Sequence, residues 1–145
     1  YPLQLISGQP HNRLHSQLDN GSESQNYKIL GREPIKIHPK DAQSRGLING
    51  DIVEVFNKRG KCLAGVIISN EVMKGVVFLA VGAWYDPIND GDFCIHGNPN
   101  VLTEDIGTSS LAQGPSAHST LVEIKKFTKE LPKINISHKP NIVNK

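Results

Sequence analysis

Short apolar runs separated by turn residues constrain the fold of this chain more than any other feature of its sequence. The clearest example is DIVEVFNKRGKCLAGVIIS, where two runs rich in Val and Ile flank a polar turn at residues 57–60. β-Branched residues in short runs bounded by Gly and Asn are typical of strands, and two runs joined by a short turn predict a hairpin. Similar runs occur elsewhere as LQLIS, PIKIHP, GVVFLAVG and STLVEIKKF. The sequence therefore predicts a mainly β structure.

One segment, HPKDAQSRGLINGD, carries the signals of a short helix. Pro39 suits the first helical turn, Asp41 complements the positive amino end of a helix, and Gly46 is a typical C-terminal stop. Many short strands with one short helix predict a small closed β-barrel. At 145 residues the chain is long enough to bury the core of such a domain.

Two polar segments interrupt this pattern. They are SGQPHNRLHSQ at residues 7–17 and NPNVLTEDIGTSSLAQGPSAHST at residues 98–120. The second lies in a connection over residues 86–119, and loops beyond about 15 residues are usually functional or disordered. Asn and Gln side chains both donate and accept hydrogen bonds, which suits the edge of a heterocycle. Both segments are therefore candidate walls of a ligand site, and the alternative is that their amides only satisfy loop backbone.

The charge distribution excludes some classes of protein. The chain has a net charge of +2, and its Lys-rich, Asn-rich and Pro-rich end leaves the rest close to neutral. Nucleic-acid-binding domains usually carry a basic face, so this class is disfavoured. No apolar run approaches the roughly 18 residues needed to cross a bilayer. The strand-like start, YPLQLIS, has no basic leader and predicts a domain within a longer polypeptide.

Candidate catalytic and metal-binding patterns are weak. His11 and His15 are four residues apart, but the glutamate of a zinc-binding HExxH helix is missing. Cys62 and Cys94 have no CxxC spacing, so they are interpreted as packing residues. The segment DPINDGD, residues 86–92, is typical of a surface turn more than of a calcium loop. The residues alone indicate binding and not catalysis.

A resemblance to a known family is carried by four blocks: LISGQPHNRLHSQLD, PIKIHPKDAQSRGLINGDIVEVFNKRGKCLAGVIIS, GAWYDP and NPNVLTEDIGTSSLAQG. In this order they strongly resemble the C-terminal, molybdopterin dinucleotide-binding domain of molybdopterin oxidoreductases. Within that superfamily they are similar to the dimethyl sulfoxide, trimethylamine N-oxide and biotin sulfoxide reductase branch. The resemblance covers residues 2–127.

The resemblance implies a mainly β fold: a six-stranded double-psi β-barrel with one or two short helices and long loops. It implies a cofactor-binding domain over residues 1–127, and the Lys-rich, Asn-rich and Pro-rich composition of residues 128–145 predicts a flexible tail. The ligand would be the bis(molybdopterin guanine dinucleotide) molybdenum cofactor, held together with the remaining domains of a parent molybdoenzyme that reduces S- or N-oxides. Bacterial cytoplasm and periplasm both remain open as locations.

The resemblance also implies cofactor contacts. RLHSQ matches the pterin-contacting loop of the family, and NVLT matches a further contact. Relatives often carry Gln at the place of His118, and several carry His at the place of Gln9, where Gln cannot supply a titratable charge. GAWYDP is interpreted as barrel-edge architecture, with Trp84 as a packing residue. The predicted cofactor-binding residues are Gln9, His15, Ser16, Gln17, Asn100 and His118.

The same resemblance places the metal ligand and the substrate funnel in preceding domains. No residue of this chain is implied to ligate molybdenum, and the isolated chain is not expected to catalyse the reaction. The alternative function is a free-standing double-psi barrel that serves as an adaptor or small-ligand module without a redox role. The polar loops distinguish the two, because an adaptor has no need of RLHSQ and a long amide-rich loop.

Overall fold

A computed structural model describes residues 1–88 and 93–136 of the chain. Within these residues the structure contains two α-helices, α1 and α2, and eight β-strands, β1 to β8. In chain order the elements are β1 Leu3–Ile6, α1 Ser22–Tyr27, β2 Pro34–Ile37, α2 Pro39–Gln43, β3 Ile52–Phe56, β4 Lys61–Ile68, β5 Val76–Leu79, β6 Pro87–Ile88, β7 Phe93–Cys94 and β8 Leu121–Lys126.

Six strands form a closed barrel. They are hydrogen-bonded in the order β2-β5-β1-β8-β3-β4, and β4 pairs again with β2 to complete the ring. The β1–β5 and β2–β4 pairs are parallel, and the other pairs in the ring are antiparallel. Outside the ring, the short β7 pairs with β4 in parallel, and β6 pairs with β7 in antiparallel orientation. The predicted fold class, a mainly β six-stranded barrel with short helices, is confirmed.

The barrel interior is filled by the alternating side chains from which the strands were predicted. In the β3–β4 hairpin Val53 lies opposite Ala64 and Val55 lies opposite Cys62, and all four are fully buried. The hairpin turn closes with a hydrogen bond from the Asn57 amide to the Gly60 carbonyl. Core side chains from the other ring strands are Leu3, Leu5, Ile35, Ile37, Val77, Leu79, Val122 and Ile124.

Helix α2 begins and ends as its sequence signals predict. His38 caps it, with the Lys40 amide donating to the His38 Nδ1 atom at 3.2 Å, and Pro39 is its first residue. Gly46 follows the helix at a φ of 62°, a conformation that glycine adopts without strain. The buried Asp41 carboxylate also accepts a hydrogen bond from the Gly75 amide at 2.7 Å, which ties α2 to the start of β5.

The connection between β1 and β2 contains the short helix α1 and several buried polar side chains. Ser24 is completely buried, and so is Glu33 directly before β2. The segment is therefore packed against the barrel, although its polar composition is typical of an exposed loop. The reason is a group of buried ion pairs that this segment shares with the first polar loop.

The residues after β8 turn back onto the barrel. The Arg32 guanidinium donates to the Pro132 carbonyl, and the Asp86 carboxylate accepts from the Asn135 amide at 2.7 Å. Ile134 packs against the smaller hydrophobic cluster around Ile95. The predicted division at residues 1–127 and 128–145 stays a prediction, and residues 137–145 lie outside the described part. Among the described residues, no helix combines the length and apolar character needed to cross a membrane.

Candidate cofactor-binding site

An open pocket of about 620 Å³ lies where both predicted polar segments meet the loop after β5. His15 and Ser16 form one wall, residues 81–85 form the floor, and Asn98 and Asn100 form the opposite wall. Ile136, from the segment after β8, closes one side. The pocket therefore draws on four separate stretches of the sequence.

The His15–Ser16 wall is held in a strained backbone conformation. His15 has a φ of 49°, which non-glycine residues rarely adopt. Directly beneath it, Gly82 has a φ of 92°, and a Cβ atom there would overlap the His15 carbonyl. Only glycine allows the loop to approach this closely. Local strain of this kind often marks a ligand site, because the surrounding structure must enforce it.

Trp84 joins the floor of the pocket to the first wall. Its indole Nε1 donates to the Ser16 carbonyl at 2.7 Å, and its backbone amide donates to Asp19 Oδ2 at 2.9 Å. Its backbone carbonyl lies 2.9 Å from His96 Nδ1. A carbonyl only accepts, so this hydrogen bond places the imidazole proton on Nδ1. The three polar groups of Trp84 thus each have a partner within the protein.

The second wall is organised by a short turn. The Asn98 side chain accepts a hydrogen bond from the Asn100 amide at 2.9 Å and caps the 3₁₀ turn Pro99–Val101. The Asn98 amide lies 3.4 Å from the sulfur of the buried Cys94. This turn follows β7, which pairs with the ring strand β4, so the backbone of the second wall is anchored to the barrel.

Behind the first wall lies a buried charge cluster, defined here as Arg13, Asp19, Lys28, Glu33 and His96. Lys28 Nζ lies 2.8 Å from Asp19 Oδ1 and 3.0 Å from Glu33 Oε2. Arg13 Nη2 lies 3.0 Å from Glu33 Oε1 as an ion pair without the angle of a hydrogen bond. These side chains are at most about 1% exposed. Two cations face two anions, so the cluster is neutral when His96 is neutral.

The environment shifts two pKa values in this cluster. Burial acts to raise the pKa of Asp19, but hydrogen bonds from Lys28 and the Trp84 amide outweigh it and hold the pKa below its ordinary value. Burial and the nearby Lys28 charge lower the pKa of His96, against the opposing effects of the Trp84 carbonyl, Asp19 and Glu33. The imidazole of His96 is therefore neutral at pH 7, and Asp19 is ionised.

Three of the six predicted cofactor-binding residues meet in the pocket: His15, Ser16 and Asn100. The other three lie elsewhere. Gln9 donates to the Arg13 carbonyl at 2.7 Å and lines a separate pocket of about 450 Å³. Gln17 is exposed beside the first wall.

His118 lies at the end of β1 instead of in the pocket. Its Nδ1 atom accepts from the Ser7 amide at 3.3 Å, and its backbone carbonyl accepts from the Gln4 side chain at 2.9 Å. These bonds fix the point where the chain leaves β1 and enters the first polar loop. The cofactor-binding roles of Gln9, Gln17 and His118 stay predictions.

Asn98 belongs to the second predicted polar segment and lines the pocket, whereas sequence reasoning did not identify Gly82 or Trp84 as pocket residues. Trp84 was predicted to be a packing residue at the barrel edge, and the structure places it in the lining of the pocket. The signal was present, because the motif GAWYDP directly follows a buried strand. Asp86 in this motif is buried and binds the Asn135 amide, and residues 89–92 of the acidic segment lie outside the described residues.

The chemistry of the pocket suits the uncharged, hydrogen-bonding parts of a ligand. Among the described residues that line it, none is Lys, Arg, Asp or Glu. His15, Ser16, Asn98 and Asn100 offer donors and acceptors, and Trp84 adds an aromatic ring. This set matches a heterocycle or sugar and lacks the charged groups that bind a free phosphate.

Comparison with known proteins identifies a family that matches most of the chain. The family described as Molydopterin dinucleotide binding domain matches residues 3–121. The match includes both walls and the floor of the pocket.

Curated relatives cover nearly the whole chain. A trimethylamine-N-oxide reductase of Salmonella typhimurium is 51% identical over 97% of this chain and 17% of its own length. Trimethylamine-N-oxide reductase 1 of Escherichia coli strain K12 is 53% identical over 88% of this chain and 15% of its own length. The chain therefore spans about one sixth of the length of these relatives.

A solved structure shares the fold. Acetylene hydratase from Pelobacter acetylenicus superimposes with a TM-score of 0.71 and 20% sequence identity, over 88% of this chain and 18% of that one. At this identity the comparison supports the fold alone.

Proposed function

The chain belongs to the molybdopterin dinucleotide-binding domain family, and we propose on this basis that it holds the pterin-dinucleotide molybdenum cofactor of a longer oxidoreductase. The observation that carries the proposal is the convergence of His15, Ser16 and Asn100 on one uncharged pocket. The resemblance singled out these residues from two segments more than 80 positions apart. Their side chains are suited to the polar edges of such a ligand.

In this proposal the chain supplies orientation and the cofactor supplies redox chemistry. When bound, the cofactor would supply the chemistry of oxygen-atom and two-electron transfer. His15, Ser16 and Asn100 would hydrogen-bond the organic part of the cofactor, and the half-buried Trp84 would shield one face of it from water. The bis(molybdopterin guanine dinucleotide) form and the individual contacts are parts of the proposal.

We further propose that the parent enzyme reduces trimethylamine N-oxide. The support is the identity of about half the residues with proteins named as trimethylamine-N-oxide reductases. Other S-oxides and N-oxides have less specific support as substrates, because these relatives are named for trimethylamine N-oxide. Because the chain spans only 17% of such a relative, further domains of the parent enzyme would complete the cofactor site.

The alternative of a free-standing adaptor barrel has less support. The family match extends across the polar loops that an adaptor would not need. The relatives likewise contain this barrel as a small part of a longer chain.

The experiment is cofactor retention by the full-length enzyme. We expect His15→Ala and Asn100→Ala to lower the molybdenum and guanine content per polypeptide after dialysis. Each lost hydrogen bond of about 1.5 kcal/mol weakens binding about tenfold. The matched control for Asn100→Ala is Asn70→Ala, an exposed asparagine that lies outside this pocket. Wild-type content in both pocket variants would contradict the proposed contacts.

A further inference from the structure

The buried charge cluster does not line the pocket, yet it holds the backbone of the first wall and of the floor. We propose that Arg13 and Asp19 are positioning residues of the cofactor site: they fix the separation of the His15–Ser16 wall from residues 81–84. This inference rests on the proposed function for its ligand, although the positioning itself concerns only this chain.

Arg13 donates hydrogen bonds both to the first wall of the pocket and to its floor. Its Nε donates to the His15 carbonyl at 3.2 Å, and its Nη2 donates to the Val81 carbonyl at 2.7 Å. Its Nη1 donates to the buried Ser24 hydroxyl at 3.2 Å. A planar guanidinium with five donors in a fixed geometry sets the distance between these two carbonyls.

Asp19 holds the floor of the pocket through the backbone amide of Trp84. Its Oδ2 accepts from the Trp84 amide at 2.9 Å, while its Oδ1 faces Lys28 at 2.8 Å. His96 holds the Trp84 carbonyl from the same side. Trp84 in turn donates to the Ser16 carbonyl, so Asp19 acts on the first wall through Trp84.

These hydrogen bonds also leave the side chains of the wall free for a ligand. The carbonyl groups of His15 and Ser16 both accept hydrogen bonds from the protein. Their side chains line the pocket and carry further polar groups. The cluster thus determines which groups of the loop are presented to the cofactor.

Stability alone does not explain why this cluster is charged. Replacing buried ion pairs by well-packed apolar residues is often neutral or stabilising. Apolar residues, however, would leave the His15 and Val81 carbonyls and the Trp84 amide without partners. The charged side chains are therefore explained by the backbone groups of the pocket that they bind.

Trp84 is the single tryptophan of the chain, so its fluorescence reports on the floor of the pocket without any ligand. The variants are Asp19→Leu, which removes the acceptor of the Trp84 amide, and Asp19→Asn, which retains one. Arg13→Lys keeps the positive charge and loses the planar fork. The matched control is Glu54→Gln, which breaks the more exposed pair with Lys125.

In the 145-residue chain we expect Asp19→Leu and Arg13→Lys to shift Trp84 emission to longer wavelength and to increase its quenching by acrylamide. Far-UV circular dichroism verifies that each variant is folded. Asp19→Asn is expected to retain most of the wild-type signal, and Glu54→Gln all of it. If Asp19→Leu does not fold, Arg13→Lys decides the result. Wild-type emission and quenching in the folded variants would overturn the proposal.

A second measurement connects positioning to the ligand. In the full-length enzyme, Arg13→Lys is expected to lower retained molybdenum and guanine about tenfold, as loss of a supporting partner does in other metal sites. One outcome is a changed Trp84 signal in Arg13→Lys together with wild-type molybdenum and guanine content in both Arg13→Lys and His15→Ala. This outcome would refute the proposed function and leave the positioning of Trp84 intact. Reduced content in His15→Ala with wild-type Trp84 emission in Arg13→Lys would refute the positioning alone.

Discussion

The charge balance of the buried cluster gives the sharpest prediction about stability. Lys28→Met removes a cation that lies about 3 Å from both Asp19 and Glu33, and leaves a net charge of −1 in the core. At an effective dielectric constant near 20, each such pair corresponds to about 5 kcal/mol of Coulomb energy before desolvation. Breaking a buried pair on one side typically costs about 3–5 kcal/mol.

Glu33→Gln leaves the opposite charge, so its cost is expected to be similar. The double variant restores neutrality, because Arg13 and Asp19 remain as one cation and one anion. We therefore expect the double variant to be more stable than the sum of the single losses implies, with a coupling free energy of about 2 kcal/mol or more.

The assay is urea unfolding of the four proteins at pH 7, followed by circular dichroism. The control cycle is Lys125→Met with Glu54→Gln, a pair at 3.0 Å in which Lys125 is 60% exposed. For such a pair the coupling is expected to stay below about 1 kcal/mol. Strict additivity in the Lys28–Glu33 cycle would refute the argument from charge balance.

Two further predictions concern pH and backbone geometry. Folding lowers the pKa of His96 below its ordinary value of 6.5. As the pH falls below 6.5, His96 therefore binds a proton more readily in the unfolded chain than in the folded chain. The free energy of unfolding should therefore decrease from pH 7 to pH 5, by at most about 1.4 kcal/mol per pH unit for this group. His96→Gln should reduce that slope relative to His11→Gln, and equal slopes in chemical denaturation would contradict the assignment. Gly82→Ala and Gly50→Ala both place a Cβ at positive φ, but only at Gly82 does it collide with backbone. Gly82→Ala should cost about 1–3 kcal/mol more in thermal unfolding, and equal costs would show that the close approach to His15 is unimportant.

The six strands of the barrel ring were predictable because their signal is local, whereas the two-residue strands β6 and β7 lie in the segment that was predicted to be a long loop. In the β3–β4 hairpin the side chains that fill the barrel alternate with those that do not, and a polar turn joins the runs. The capping residues of α2 are local signals as well. Helix α1 was not predicted, since six polar residues have no apolar periodicity and the helix is held by contacts with Arg13 through Ser24.

The site was predictable only in part. His15, Ser16 and Asn100 were singled out by the resemblance, and the barrel brings them together. The burial of Arg13, Lys28 and Glu33 could not be foreseen, because charged residues in a polar stretch are usually solvated. Their pairing depends on contacts between α1, the first loop and the start of β2, and no local pattern encodes those contacts.

The pairing of β1 has a consequence for how this part of the chain reaches its folded state. β1, residues 3–6, pairs with β5 at residues 76–79 and with β8 at residues 121–126. During synthesis the first strand must wait for both partners, which takes seconds at about 5–20 residues per second. Until β8 leaves the ribosome, the edges of β1 and β3 that it later joins are unpaired. Such edges are templates for wrong pairing, so we expect the nascent chain to be exposed to misassembly until β8 is in place.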